Sequence, residues 1–210
     1  MNIVTPPMYN LSMSIVISEV TESGILVSAD KRITDSKGGA YEDNCLKAFP
    51  VANRVVVGMT GKRVENPTKY KNIIDRHSGA LSDKTVKDCA KWIAEVISDL
   101  HDLENDPPEI KLIVSGYDGN NPVIYEIHVT NEVSAPIDRT PYMSTDDHIS
   151  YDLTGGSLKT VRKRVYSQTS SEKALENHQN IIKEASKKDV SISEEFDSYL
   201  IKSDGTTSIK

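Results

Sequence analysis

The stretch Gly24–Gly61, GILVSADKRITDSKGGAYEDNCLKAFPVANRVVVGMTG, decides the reading of this chain. An apolar run, Ile25-Leu26-Val27, feeds directly into the charged cluster Asp30-Lys31-Arg32. Lys47 follows seventeen residues after Asp30, beside a second apolar run. Val55-Val56-Val57 then leads into Gly58-Met59-Thr60-Gly61, which reads as a turn of small residues. Charged groups at the ends of apolar strands are where sites are built, because the strands hold a few polar groups at the rim of a packed core. Spacing alone leaves another reading open: an Asp–Lys pair is also a common surface ion pair.

Working outward, Ser14–Val20 (SIVISEV) is a β-rich run, and Thr21-Glu22-Ser23-Gly24 is a turn signal, so residues 14–29 read as a hairpin. Residues 35–44 are polar with two glycines and read as a loop. Leu46–Val51 and Arg54–Met59 form a second hairpin-like pair. Between Lys84 and Leu103 the apolar residues Val86, Cys89, Ala90, Ile93, Val96, Ile97, Leu100 and Leu103 recur at helical spacing. Ser82 or Thr85 suits the start of that helix, and Pro107-Pro108 ends it. A shorter helix fits 69–76. Ile110–Tyr117 and Pro122–Val129 flank Asp118-Gly119-Asn120-Asn121, a hairpin turn.

Residues 130–148, with Pro136 and Pro141, read as irregular. Ile149–Leu153 leads into Thr154-Gly155-Gly156-Ser157, where a helix to about Tyr166 is expected. Ser171–Lys187 reads as another helix, with His178 on its apolar face as a packed core residue. Phe196–Ile201 and Thr207–Ile209 make a closing hairpin. Repeated hairpins exclude a purely parallel sheet. Amphipathic helices need sheets to cover, which predicts an α+β fold of two antiparallel sheets between helix layers.

The chain has 210 residues, with 37% hydrophobic and 27% charged residues, enough apolar content for a sizeable core. A net charge of -6 offers no basic surface for nucleic acid. No apolar run approaches the roughly 18 residues that span a bilayer, and MNIVTPPMYNLSMS lacks the pattern of a secretory signal. A cytoplasmic protein without a membrane role is therefore expected. Cys45 and Cys89 read as buried free thiols, and nothing has the spacing of a metal site or phosphate loop. Residues 1–11 read as a leader or loose arm and 12–210 as one domain.

The order of these elements, with GILVSADKRIT, LKAFPVANRVVVGMTG, IKLIVSGYDGNNPVIYEI and YDLTGGS, resembles the β-type subunits of the proteasome and the bacterial protease HslV. Lys47 and Gly61 are fourteen residues apart, as in that family, while Asp30 to Lys47 is one residue longer. The resemblance covers residues 12–210. It implies a four-layer αββα sandwich of the N-terminal-nucleophile hydrolase kind, cleaving peptide or other amide bonds without a cofactor. It implies a homo-oligomeric ring, with an ATPase unfoldase as a possible partner.

By position, the resemblance makes Lys47 the charge beside the nucleophile, Asp30 its partner and Gly61 the oxyanion N–H. Arg32 and Thr34 would edge the cleft, Met59 would line the specificity pocket, and Asp189 would match a later aspartate of the family. The nucleophile falls at Ser12, Met13 or Ser14, of which only the serines can serve, and only with a free α-amine. Gly156 stands where the family has a serine, and the small residues expected after Asp189 are replaced by 190–195. A non-catalytic member of the fold and a small-molecule amidase are the alternatives.

Overall fold

The computed structural model describes residues 14–34, 41–62, 67–101, 109–129, 132–139, 148–154, 165–166, 170–205 and 207–209. Strands β1 (Ile15–Thr21) and β2 (Gly24–Asp30) form the first hairpin. Strands β3 (Ile33–Thr34) and β4 (Tyr41–Glu42) make a small pair of their own. A second hairpin, β5 (Ala48–Ala52) and β6 (Val55–Lys62), precedes helix α1 (Pro67–His77), a 3₁₀ turn (Ser78–Leu81) and helix α2 (Val86–His101). Strands β7 (Glu109–Asp118), β8 (Asn121–Val129), β9 (Ile137–Asp138), β10 (His148–Thr154) and β11 (Val165–Tyr166) follow. Helix α3 (Ser171–Lys188) and the hairpin β12 (Phe196–Ile201) and β13 (Thr207–Ile209) complete the order.

Two large antiparallel sheets result. One runs β11-β10-β1-β2-β12-β13 and the other β5-β6-β7-β8-β9. The class is α+β, as the repeated hairpins require. Alternation along the strands decides what each sheet face meets. On β1, Val16 and Val20 join Val27 of β2 with Ala48, Val56, Ile113 and Ile124 of the second sheet in one buried cluster. Ile15 and Ile17 point the other way, onto Ile182 and Ala185 of α3. Both faces of β1 and β2 are covered, which is why these strands read as continuous apolar runs. The outer face of the second sheet packs Val57, Met59, Leu112 and Ile127 against Ile74 of α1 and Ile93 and Ile97 of α2. Each such side chain contributes about 1.5–3 kcal/mol on burial.

Local sequence sets the boundaries. Thr85 caps α2: its Oγ1 accepts from Asp88 N at 3.1 Å and donates to the Asp88 carboxylate at 2.8 Å. Ser170 caps α3 by accepting from Lys173 N, with Glu172 in the first turn and Lys187 and Lys188 in the last. The β7–β8 turn closes through Gly119, whose φ of 65° suits a residue without a side chain. Gly58 has a different reason. A Cβ there would lie 2.4 Å from Val16 Cγ1, so its absence lets β6 approach β1 across the sheet interface.

Three expectations are corrected. Gly58–Gly61 is not a turn: β6 continues to Lys62, because β7 is long enough to pair with it as far as Glu109. Val165 and Tyr166 do not end a helix; they pair with Ile149 and His148 as β11. The rest of that expected helix, with Gly155 and Gly156, lies outside the described residues. The stretch 130–148 is not wholly irregular, since Ile137 and Asp138 pair with Glu126 and Tyr125. Cys45 and Cys89 are buried free thiols. Burial pushes the Cys89 thiol up to about 11, so it stays protonated at neutral pH.

Candidate active site: a buried Ser14–Lys47–Asp30 cluster

The hairpin β1–β2 brings its two ends together. Asp30 closes β2 beside the start of β1, and its Oδ1 accepts from Ile15 N at 2.9 Å. Its Oδ2 accepts from Arg32 N at 3.1 Å and from Ser193 N at 3.3 Å. Backbone donors therefore fix the carboxylate from three segments of the chain. Lys47 enters from the second sheet, just ahead of β5, where its carbonyl accepts from Met59 N at 2.8 Å. Its Nζ donates to Asp30 Oδ1 and Oδ2 at 3.0 and 2.9 Å and to Ser14 Oγ at 2.8 Å. Those contacts occupy all three donors of an ammonium. Ser14, Lys47 and Asp30 are only 7%, 2% and 0% exposed, so the Asp–Lys pair is not a surface ion pair.

Among the described residues, the Ser14 oxygen accepts from Lys47 and has no base in contact with it. A hydroxyl needs such a base to become a good nucleophile. The group adjacent to Ser14 Oγ that can serve is its own backbone nitrogen, once that nitrogen is an amine rather than part of a peptide bond.

Gly61 lies in β6, opposite Ile110. Alternate amides of a strand point to the same edge. The Gly61 N–H therefore points to the edge that Met59 N uses on Lys47 O, beyond the start of β5. A strand N–H left over at such an edge can donate to a developing oxyanion.

The remaining predicted residues are placed differently. Met59 is 2% exposed and packed in the core beneath α1 and α2, not along a cleft wall. The alternation of β6 turns it to the helix side. Arg32, expected at the edge of the cleft, ties loops together. Its Nε and Nη2 donate to Asp43 Oδ1 and Oδ2 at 2.6 and 2.8 Å, and its Nη1 donates to the Val190 carbonyl at 2.8 Å. The Arg32 guanidinium holds the Asp43 carboxyl below the usual carboxylate range, against the opposing effect of burial. Thr34 lies in β3, paired with Tyr41. Ser12 lies outside the described residues.

Asp189 caps the end of α3 and accepts from Ser191 N at 2.8 Å and Ser191 Oγ at 2.6 Å. This loop reaches the cluster through Ser193 N on Asp30, so Asp189 supports the site from behind. Sequence reasoning missed Ser191 and Ser193. The serines alternating after Asp189 are their only signal, and it becomes legible once Asp30 is known to lie opposite.

A second buried polar group sits on the α3 side of the first sheet. His178 Nδ1 is 2.7 Å from Ser28 Oγ, which is 2.7 Å from Ser198 Oγ, and His178 Nε2 is 3.1 Å from Glu19 Oε2. His178 is a buried residue, as its helix face indicated, but it is held by polar contacts. Among the described residues no group of His, Cys, Asp or Glu is placed to hold a metal ion. No helix among them is long and apolar enough to cross a membrane. No protein-family model matches the chain, and no curated protein matches it.

Proposed function

We propose that this chain is an amide-bond hydrolase of the N-terminal-nucleophile kind, related to proteasome β-type subunits and HslV, with Ser14 as its nucleophile. The observation that carries the reading is the 2.8 Å contact from Lys47 Nζ to Ser14 Oγ, with Lys47 held by Asp30. Breaking the Met13–Ser14 bond gives Ser14 an α-amine, whose ordinary pKa of about 7.7–8.0 suits a base at neutral pH. Ser14 Oγ attacks the substrate carbonyl carbon as its proton passes to that amine. The oxyanion that forms is met by the Gly61 N–H, and the Lys47 charge stabilises the Ser14 oxygen during attack. The proton then passes to the leaving amine as the C–N bond breaks. Water hydrolyses the resulting ester and restores Ser14.

The layering supports the αββα reading of the fold: α1 and α2 cover one sheet, α3 covers the other, and the two sheets share an apolar interface. Assembly into a homo-oligomeric ring, peptide substrates, an ATPase unfoldase partner and a cytoplasmic location belong to the same proposal.

A non-catalytic member of the fold is the second reading. It is favoured by Ser14 being an internal, nearly buried residue whose nitrogen is an amide in the intact chain. Intact mass and turnover of fluorogenic peptides separate the two. A chain beginning at Ser14 that hydrolyses peptide, and loses this in Ser14→Ala, supports the enzyme. A chain retaining residues 1–13 and cleaving nothing, even when expressed from Met13, establishes the non-catalytic reading instead.

A further inference from the structure

Among the described residues, one polar side chain at the interface between the two sheets has no hydrogen-bond partner and no use in the chemistry above. Thr60 is 1% exposed, and its Oγ1 has no hydrogen-bond partner among the described residues. A buried hydroxyl left unpaired costs about 1–3 kcal/mol, so its presence calls for a reason.

Two contacts place it. Gly58 of β6 lies against Val16 of β1, as the 2.4 Å approach of a Cβ built there to Val16 Cγ1 shows. Farther along β1, Ser18 Oγ bonds Ser115 Oγ at 2.8 Å, and Ser115 is the register partner of Val56. Moving forward on β1 from Val16 to Ser18 therefore moves backward on β6 from Gly58 to Val56. Moving two residues the other way goes from Val16 to Ser14 and from Gly58 to Thr60. Alternation keeps Thr60 on the face of β6 that Gly58 presents to β1. Thr60 thus belongs to the layer facing Ser14, next in sequence to Gly61.

We infer that Thr60 is a further catalytic residue, whose hydroxyl donates to the substrate carbonyl oxygen as it becomes the oxyanion on attack by Ser14. It acts beside the Gly61 N–H, and its proton stays on Thr60 Oγ1 throughout. The hydroxyl has no partner among the described residues because its partner is the substrate. This inference rests on the hydrolase reading of Ser14. It differs from a structural role for Thr60, which would give the hydroxyl a partner within the fold.

The test compares Thr60→Val, which keeps the shape and removes the hydroxyl, with Thr60→Ser, which keeps the hydroxyl. Both are made in the full-length chain and assayed on a fluorogenic peptide, with melting temperatures measured in parallel. Thr60→Val lowers kcat by about 10- to 100-fold with KM within about twofold, the signature of a contact made only in the transition state. Thr60→Ser stays within about threefold of wild type, and Thr60→Val melts no lower than wild type. A wild-type enzyme whose Thr60→Val variant turns over equally fast overturns the inference and leaves the hydrolase reading standing. A melting temperature lowered by several degrees in Thr60→Val also overturns it, since the hydroxyl then has a structural partner. No turnover by wild type, either full-length or expressed from Met13, overturns the hydrolase reading and this inference with it.

Discussion

Lys47 Nζ lies 2.8 Å from Ser14 Oγ, across a sequence separation of 33 residues and between two different sheets. The same nitrogen bonds both oxygens of Asp30, so one lysine joins the end of β2, the start of β1 and the entry to β5. The cluster is a property of the packed sandwich, and its energetics can be tested apart from catalysis.

Removing Lys47 leaves the Asp30 carboxylate buried with backbone donors only. Breaking one side of a buried ion pair costs about 3–5 kcal/mol. The three N–H groups on Asp30 offset part of this, so Lys47→Ala is expected to lose about 2–4 kcal/mol in urea unfolding. Lys47→Met with Asp30→Asn recovers part of the loss. Peptide turnover disappears in Lys47→Ala, and retained turnover refutes the role given to this lysine.

Gly58 sets the separation of the sheets at Val16. Adding a methyl group at Gly58 meets a stiff β-branched side chain inside a packed core. Gly58→Ala is expected to destabilise by about 1–3 kcal/mol. Val16→Ala in the same chain makes room and restores part of that, read as a coupling in a double-mutant cycle. Additive effects of the two changes show that the contact is not what limits the approach.

His178 links Glu19 to Ser28 in a region with no exposed surface. His178→Leu takes from Glu19 its His178 contact and leaves Ser28 with Ser198, and is expected to cost about 3 kcal/mol or more in chemical denaturation. Replacing Glu19 by Gln in that background lowers the penalty, because the group left behind is then neutral. A full-strength penalty in the double variant shows that packing at His178, and not the polar contact, is what matters.

Acid weakens the Arg32–Asp43 clamp. The Asp43 carboxyl sits below its ordinary range when folded, so its stabilisation is complete above the unfolded value of about 3.9 and fades as pH falls further. Melting temperatures of wild type and Asp43→Asn are expected to differ at pH 7 and to converge toward pH 3. The difference is small because Asp43 is partly exposed. A gap that widens in acid contradicts the assigned direction.

Much of this protein was legible from residue order. The strands β1 and β2, the hairpin at Gly119 and the helices α2 and α3 follow from period and turn chemistry, because local pattern fixes which side of an element is apolar. Asp30 and Lys47 were visible as charges at the ends of apolar runs. The extent of β6 was not, since the glycines in Gly58–Gly61 signal a turn locally and only the length of β7 overrules it. The choice among Ser12, Met13 and Ser14 was also closed to sequence. The structure places Ser14 Oγ 2.8 Å from Lys47 Nζ, while Ser12 and Met13 lie outside the described residues. Tertiary structure alone brought Ser193 to Asp30, Arg32 to the loop after α3, Met59 into the helix-side core and Thr60 onto the Ser14 layer. Those pairings join residues far apart in the chain, and packing of whole sheets, not local propensity, decides them.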